Sequence, residues 1–277
     1  MTEKKSLHGE WSSRWVFVLA ATGSAVGLGN IWRFPYITGE NGGGAFVLVY
    51  LGCVILVGLP IMIAEIILGR RGRQSPINTM RNLAVDEGLS AGWGLVGGMG
   101  VVAGFLILSF YSVVAGWSLS YIFSVGSGQF EKASIESAQS AFETLTGSPF
   151  QLLFWHTVFL SLTVFIVGRG VQKGLERAIK ILMPVMFFIL ILMVFYAAIS
   201  GDFRGALQYL FKADFSKLTG EVILIAFGQA FFSLSLGMGS IMIYGAYLAK
   251  DVSIPKMALV VGGADTLVAL LACLAIF

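Results

Sequence analysis

The chain reads as an all-α membrane protein, a multi-span helical bundle with two discontinuous helices, and three observations carry that reading. The 277 residues are 57% apolar and only 12% charged, with a mean hydropathy of +0.85. A soluble globule carries about a quarter of its residues as charges. The apolar residues fall in seven long continuous runs, at about 13–38, 44–69, 92–125, 150–168, 178–200, 221–248 and 257–277. A helical span takes roughly 20 apolar residues, whereas membrane strands show short alternating segments. Finally, the first and sixth runs each carry a Gly-x-Gly near the middle, where a plain span has no need of one.

Charge placement sets the orientation. With the N-terminus in the cytoplasm, Lys4, Lys5, Arg14, Arg70, Arg71, Arg73, Arg81, Arg169, Lys173, Arg177, Lys180, Lys250 and Lys256 lie inside. Only Arg33, Lys132, Arg204, Lys212 and Lys217, out of 18 basic residues, lie outside. The reverse topology inverts the positive-inside bias. The net charge of +3 is dispersed over loops and forms no stripe, so nucleic acid is not an expected partner. Cys53 and Cys273 sit within spans, where thiols behave as small buried hydrophobes, and no disulfide is expected. A cleaved signal peptide is disfavoured, because Arg14 interrupts the first run, the run is long and no cleavage site follows.

Residues 1–10 form a polar cytoplasmic tail, and Trp11 and Trp15 suit the membrane interface at the start of the first span. That span contains Gly23-Ser-Ala-Val-Gly27-Leu-Gly29-Asn-Ile-Trp-Arg33-Phe-Pro35. Each glycine weakens a helix by roughly 1 kcal/mol relative to Ala, and unpaired backbone is tolerated in lipid only where it lines a protein cavity. The expected break lies at Val26–Asn30. A second half-helix, about residues 30–38, then turns a partly positive N-terminus toward the cavity, where it attracts an anion. Arg33 is too costly to face lipid: it snorkels outward or pairs across a vestibule.

Asn41 to Gly44 make a tight turn into the second span, in which Glu65 lies a turn deeper than solvent and calls for a partner on another helix. Residues 70–91 form a basic cytoplasmic connection. Tyr111, mid-way along the third span, reads by itself as packing with a hydrogen-bonded hydroxyl. Residues 126–149, with Glu131, Glu136 and Glu143, suit an extracellular loop. His156 reads as a hydrogen-bonded structural histidine, and Pro184 as a kink in the fifth span. Residues 201–220 are extracellular. The sixth span carries Gly228-Gln229-Ala-Phe-Phe232-Ser233-Leu-Ser235-Leu-Gly237-Met238-Gly239-Ser240, placing amide and hydroxyl oxygens of the kind a dehydrated Na⁺ needs beside its break. Asp265 lies mid-way along the seventh span. A lone carboxylate there costs at least about 2.5 kcal/mol, so it should meet a cation, a proton or a donor from the first or sixth span. Two glycine-interrupted spans in corresponding places point to a transporter built from inverted repeats.

Residues 32–46, Trp-Arg-Phe-Pro-Tyr-Ile-Thr-Gly-Glu-Asn-Gly-Gly-Gly-Ala-Phe, resemble the signature of the neurotransmitter:sodium symporter family, and the Gly-Gln-x-Phe-Phe-Ser-Leu-Ser-Leu-Gly of the sixth span agrees with it. The resemblance runs from about Trp11 to Phe277. It implies a five-plus-five inverted-repeat transporter fold, of which residues 11–200 form the first five-helix repeat. Residues 201–277 would then be an extracellular loop and the incomplete start of the second repeat. By position it implies a substrate pocket of Ala25, Gly27, Leu28, Gly29, Tyr111, Phe232, Ser233, Ser235 and Met238. The Leu28 and Gly29 N–H groups and the Tyr111 hydroxyl would hold a carboxylate, with Phe232 as a lid. It implies one sodium site from Ala25, Asn30, Ser233 and Asp265, part of a second from Gly23 and Val26, and an outer gate of Arg33, Phe232 and Gln229 beside Arg33. Tyr50 matches a chloride-site residue of animal relatives.

Three departures from the family pattern stand out. His8 occupies the place of a cytoplasmic gate arginine. Asp265 and Ala269 replace a neutral Asn and a Glu, which suggests that Asp265 supplies the negative charge chloride provides elsewhere and that chloride is not required. The family has about twelve spans, so the chain reads as C-terminally truncated, without the eighth and tenth. The implied function is sodium-coupled symport of an apolar or aromatic amino acid across the cytoplasmic or inner membrane by alternating access. No cofactor is implied beyond Na⁺ as coupling ion. Gly27 fits a substrate that brings its own carboxylate. The alternative is a non-transporting remnant or an assembly subunit on the same scaffold. An enzyme is disfavoured, since neither a His/Glu metal motif nor a Gly-x-Ser-x-Gly elbow is present.

Overall fold

A computed structural model describes residues 11–131 and 134–277; the tail at 1–10 with Lys4, Lys5 and His8, and Lys132, lie outside the described residues. Among the described residues, five helices are long and apolar enough to cross a membrane: Gly44–Gly72, Ala91–Gly126, Pro149–Gly168, Lys173–Ser200 and Ile254–Ile276. A sixth span is the pair Arg14–Ala25 and Gly29–Glu40, bent by 53° at its break. The remaining expected span, sixth in chain order, is divided into Gly220–Ser233 and Ser240–Ala246. The protein is thus an all-α, multi-pass membrane protein with two discontinuous helices.

The first break is shorter than expected. The chain leaves the helix at Val26 and Gly27, and Leu28 already re-enters a wide π-helical turn, Gly29–Arg33, before an α-helix resumes at Phe34. Pro35 has no N–H to continue an α ladder, and the wide turn lets Phe34 N–H reach the Gly29 carbonyl instead. The second break, between Ser233 and Ser240, contains three residues of positive φ: Ser235 at 54°, Gly237 at 80° and Gly239 at 75°. The two glycines adopt this conformation freely. Ser235 does so at a cost of about 1–2 kcal/mol, and it is held there because its hydroxyl donates to the Ser24 carbonyl at 2.8 Å and its own carbonyl accepts from Ser240 Oγ at 3.2 Å.

The chain divides into two compact units, one of residues up to 101 together with 176–277, the other of residues 102–175. In the first unit, Phe17, Phe34, Phe46, Tyr50, Met62, Ile66, Leu234 and Ile241 are fully buried. The Asn-Gly-Gly-Gly turn has a steric cause. Gly42 and Gly43 have φ of 90° and 59°, and a Cβ on Gly43 would lie 2.4 Å from the Tyr209 carbonyl. Tyr209, on the connecting helix Phe203–Phe211, donates its hydroxyl to the Gly39 carbonyl at 2.6 Å. The second span touches the Ser240–Ala246 half-helix backbone to backbone: a Cβ on Gly69 would lie 2.0 Å from the Met242 carbonyl, and one on Gly245 2.8 Å from that of Ile66. Trp11, expected at the membrane interface, is buried instead, because its indole N–H finds the Tyr244 carbonyl at 3.1 Å.

In the second unit, the later part of the third span and the fourth span cross where Gly116 meets the backbone of Trp155 and His156. The intervening loop is not wholly irregular: Ser134 caps a helix, Ile135–Thr146, whose Phe142 stacks edge-on against Trp117. His156 Nδ1 has no hydrogen-bond partner among the described residues, contrary to the satisfied histidine expected. The fifth span likewise departs from expectation at its start, where a π-helical stretch, Val171–Glu176, precedes the helix Arg177–Ser200 that runs through Pro184.

Candidate functional site

Four spans of the first unit converge on Asp265, which is fully buried on the seventh. From the sixth span, at the last turn before its break, Ser233 Oγ donates to Asp265 Oδ2 at 2.6 Å. From the π-helical turn of the first span, Asn30 Nδ2 lies 2.8 Å from Asp265 Oδ1, 3.1 Å from the Asp265 carbonyl and 2.9 Å from Ser233 Oγ. From the second span, the Tyr50 hydroxyl lies 3.3 Å from both Asp265 Oδ2 and Ser233 Oγ. Every one of these partners is neutral. A buried carboxylate held only by neutral donors keeps its charge uncompensated, which is costly. The cluster therefore offers a cation one charged and several neutral oxygens.

Asn30 also ties this cluster to the first break, since its Oδ1 accepts the Gly27 N–H at 3.2 Å. A cation among Asp265, Ser233 and Asn30 needs the amide turned over, with oxygen toward the ion; the same rotation releases the Gly27 N–H. Beside it, Gln229 Nε2 donates to the Gly29 carbonyl at 2.9 Å, so the two breaks are joined directly. Gln229, expected beside Arg33, is fully buried one turn before Ser233 and bonds Gly29, which lies one turn before Arg33; its Oε1 has no partner among the described residues. Arg33 is exposed and holds its guanidinium 5.0 Å from the centre of the Phe232 ring. That ring in turn lies 3.0 Å from where a Cβ on Gly29 would be.

Of the other expected residues, Ala25 is buried at the end of the first half-helix, and Leu28 and Gly27 are half-buried at the break. Ser235 bridges the second break to the Ser24 carbonyl. Met238 is half-buried, with its backbone about Gly100 of the third span, where a Cβ would lie 3.1 Å from the Met238 carbonyl carbon. Gly23 and Val26 lie elsewhere. A Cβ on Gly23 would meet Met183 Sδ at 3.0 Å, and Val26 packs with Leu190, Val268 and Ala272, so Gly23 faces the fifth span and Val26 the fifth and seventh. Tyr111 is half-buried in the second unit, on the third span.

Two contributors stand outside the residues expected to hold ion or substrate. Tyr50, matched only to a chloride position, reaches the carboxylate itself. Glu65 accepts the Gly237 N–H at 2.7 Å and so supports the second break from the second span. Its depth in an apolar run was the available signal; its partner, a backbone N–H in a left-handed turn, has no side-chain trace in sequence.

A family model described as the sodium:neurotransmitter symporter family matches residues 8–136 and 146–277. The uncharacterized sodium-dependent transporter YhdH of Bacillus subtilis is 42% identical over 277 residues, which is all of this chain and 60% of that protein. An uncharacterized sodium-dependent transporter of Haemophilus influenzae is 36% identical, again over all of this chain and 62% of its own. The human sodium-dependent neutral amino acid transporter SLC6A17 is 27% identical over 87% of this chain and 36% of its own length. Among solved structures, the crystal structure of MhsT in complex with L-phenylalanine superposes with a TM-score of 0.89 at 47% identity, covering 97% of this chain and 60% of that one. The chain thus spans about 60% of the length of the bacterial relatives it matches. With the signature turn explained by its packing, the two breaks joined through Asn30 and Gln229, and the family model matching nearly end to end, the chain belongs to the sodium:neurotransmitter symporter family.

Proposed function

We propose that the intact protein carries an amino acid across the membrane together with sodium, by alternating access, with its N-terminus in the cytoplasm. The observation that carries this reading is the Asn30–Ser233–Asp265 cluster, a buried carboxylate with neutral partners at the junction of two broken helices. Na⁺ is cargo here. Asp265, Ser233, Asn30 and Ala25 are its ligands at one site, and Gly23 and Val26 contribute backbone oxygens to a second. The substrate carboxylate meets the Leu28 and Gly29 N–H groups, while Gly27, Phe232, Ser233, Ser235 and Met238 shape the rest of the pocket in the first unit. An anion beside a cation lowers the electrostatic cost of each, so the two bind with positive coupling, and by linkage the coupling is reciprocal. Arg33 stacked over Phe232 closes the outer side.

The substrate is an apolar or aromatic amino acid. Gly27 leaves the carboxylate to the substrate, Met238 is a flexible, polarizable wall, and MhsT, similar at 47% identity, was crystallised with L-phenylalanine. Chloride is not required, because Asp265 brings a negative charge to the place where Tyr50, Ser233 and Asn30 gather. The deciding measurement is uptake of a panel of labelled amino acids by the intact protein in liposomes. Accumulation of an apolar or aromatic amino acid that needs an inward sodium gradient, and persists when chloride is replaced by gluconate, is expected. Uptake without sodium, or of no amino acid, overturns the proposal.

A further inference from the structure

The segment that leads into the first span is tied on two sides. On one, Trp11 donates its backbone N–H to the Tyr247 carbonyl at 3.2 Å and its indole N–H to the Tyr244 carbonyl at 3.1 Å, with its ring edge-on to Tyr247 at 5.9 Å. On the other, Ser12 Oγ donates to Glu176 Oε1 at 2.5 Å, and Ser12 N–H approaches Oε2 at 3.4 Å. Lys180, one turn along the fifth span, donates to the same Oε1 at 2.7 Å and to Ser12 Oγ at 3.3 Å. Residues 11 and 12 therefore clamp the start of the half-helix Arg14–Ala25 to the fifth span and to the second half of the sixth. The other end of that half-helix is the break at Val26 and Gly27. A rod of 12 residues, about 18 Å long, is pinned at its tip and jointed at its base.

We propose that Ser12, Glu176 and Lys180 form a releasable polar latch holding the cytoplasmic end of the first span shut, with Trp11 on Tyr244 and Tyr247 as its apolar half; this rests on the alternating-access reading above. The chemistry suits release. Glu176 is buried, and a buried carboxylate that loses its partners is expensive to leave. When Ser12 departs, however, Lys180 stays, since both belong to the fifth span four residues apart. Opening therefore costs the bonds of one serine and orphans no charge. The serine hydroxyl is repaid by water at the exposed surface where Ser12 already sits. The latch also gives the cytoplasmic side a polar closure that does not call on His8.

Amide hydrogen exchange of the intact protein in detergent, read on peptides covering 14–25 with 44–72 as reference, tests this. Ser12→Ala and Glu176→Gln are each expected to speed exchange in 14–25 by about tenfold, the loss of one charge-assisted hydrogen bond, with 44–72 unchanged. Ser12→Asp sets two carboxylates together and should open the segment further. Adding Glu176→Lys to it should restore protection to near the unsubstituted level. Wild-type exchange rates in both single variants, or a double variant as open as Ser12→Asp alone, overturn the latch. Exchange that rises across 44–72 as well marks a variant as unfolded. Ser12→Ala, which removes one exposed hydroxyl, then decides. Because no transport is measured, absence of sodium-driven uptake would defeat the proposed function and would be distinguishable from failure here.

Discussion

Asp265 shows what a single side chain brings to the site and how far it was legible. Its depth in an apolar run calls for a cation, a proton or a donor from the first or sixth span, and Asn30 of the first and Ser233 of the sixth both donate to it. Tyr50 was harder to read, because a tyrosine in an apolar run looks like packing until its hydroxyl is seen on a carboxylate. If the carboxylate takes the place of chloride, Asp265→Asn should lower sodium-driven uptake in chloride-free buffer by about tenfold or more, the range of coupling energies between bound charges. Added chloride should then restore part of it; a variant equally active with and without chloride would argue against the role. Ser235 supports a second prediction. Its hydroxyl contributes about 1 kcal/mol, and its left-handed backbone costs about as much. Ser235→Ala should therefore lower the melting temperature in detergent by a few degrees, and Ser235→Gly should sit close to the unsubstituted protein.

The helices themselves were the most readable layer, since seven long apolar runs admit little else. Their interruptions were placed to within a few residues, and the remainder turned on geometry that composition does not encode. Pro35 withholds a donor and selects a π-helical turn, so the first break is shorter than a run of glycines suggests. Trp11 looked like an interfacial anchor because tryptophan favours that position, but two carbonyls at the end of the sixth span offer it a better place. Gly69 and Gly245 passed without remark in a sequence rich in glycine, yet they let the second and sixth spans meet backbone to backbone. Overpacking costs about 1–3 kcal/mol. Gly69→Ala should thus destabilise the protein markedly in a thermal melt, whereas Gly52→Ala, with nothing within 4 Å of its would-be Cβ, should match or exceed the unsubstituted melting temperature. Equal effects at the two positions would show that the crossing is looser than described.

For the molecule as a whole, the basic residues at 70–81, 169–180 and 250–256 contrast in the sequence with the acidic stretch at 131–143. The positive-inside bias puts the former in the cytoplasm. In intact cells, a membrane-impermeant maleimide should therefore label a cysteine at Ser137 and spare one at Arg81, in a background without Cys53 and Cys273; the reverse pattern would invert the topology. One contact has a bearing on how such a sequence can vary. The face of Phe232 lies against Gly29 so closely that neither position is at liberty alone. A lineage that acquires a methyl at 29 is expected to carry a slimmer side chain at 232, which, on the proposal that Phe232 is the lid of a substrate pocket, gives that lid a different reach. The shape available at 232 is thereby written partly in a residue that has no side chain at all.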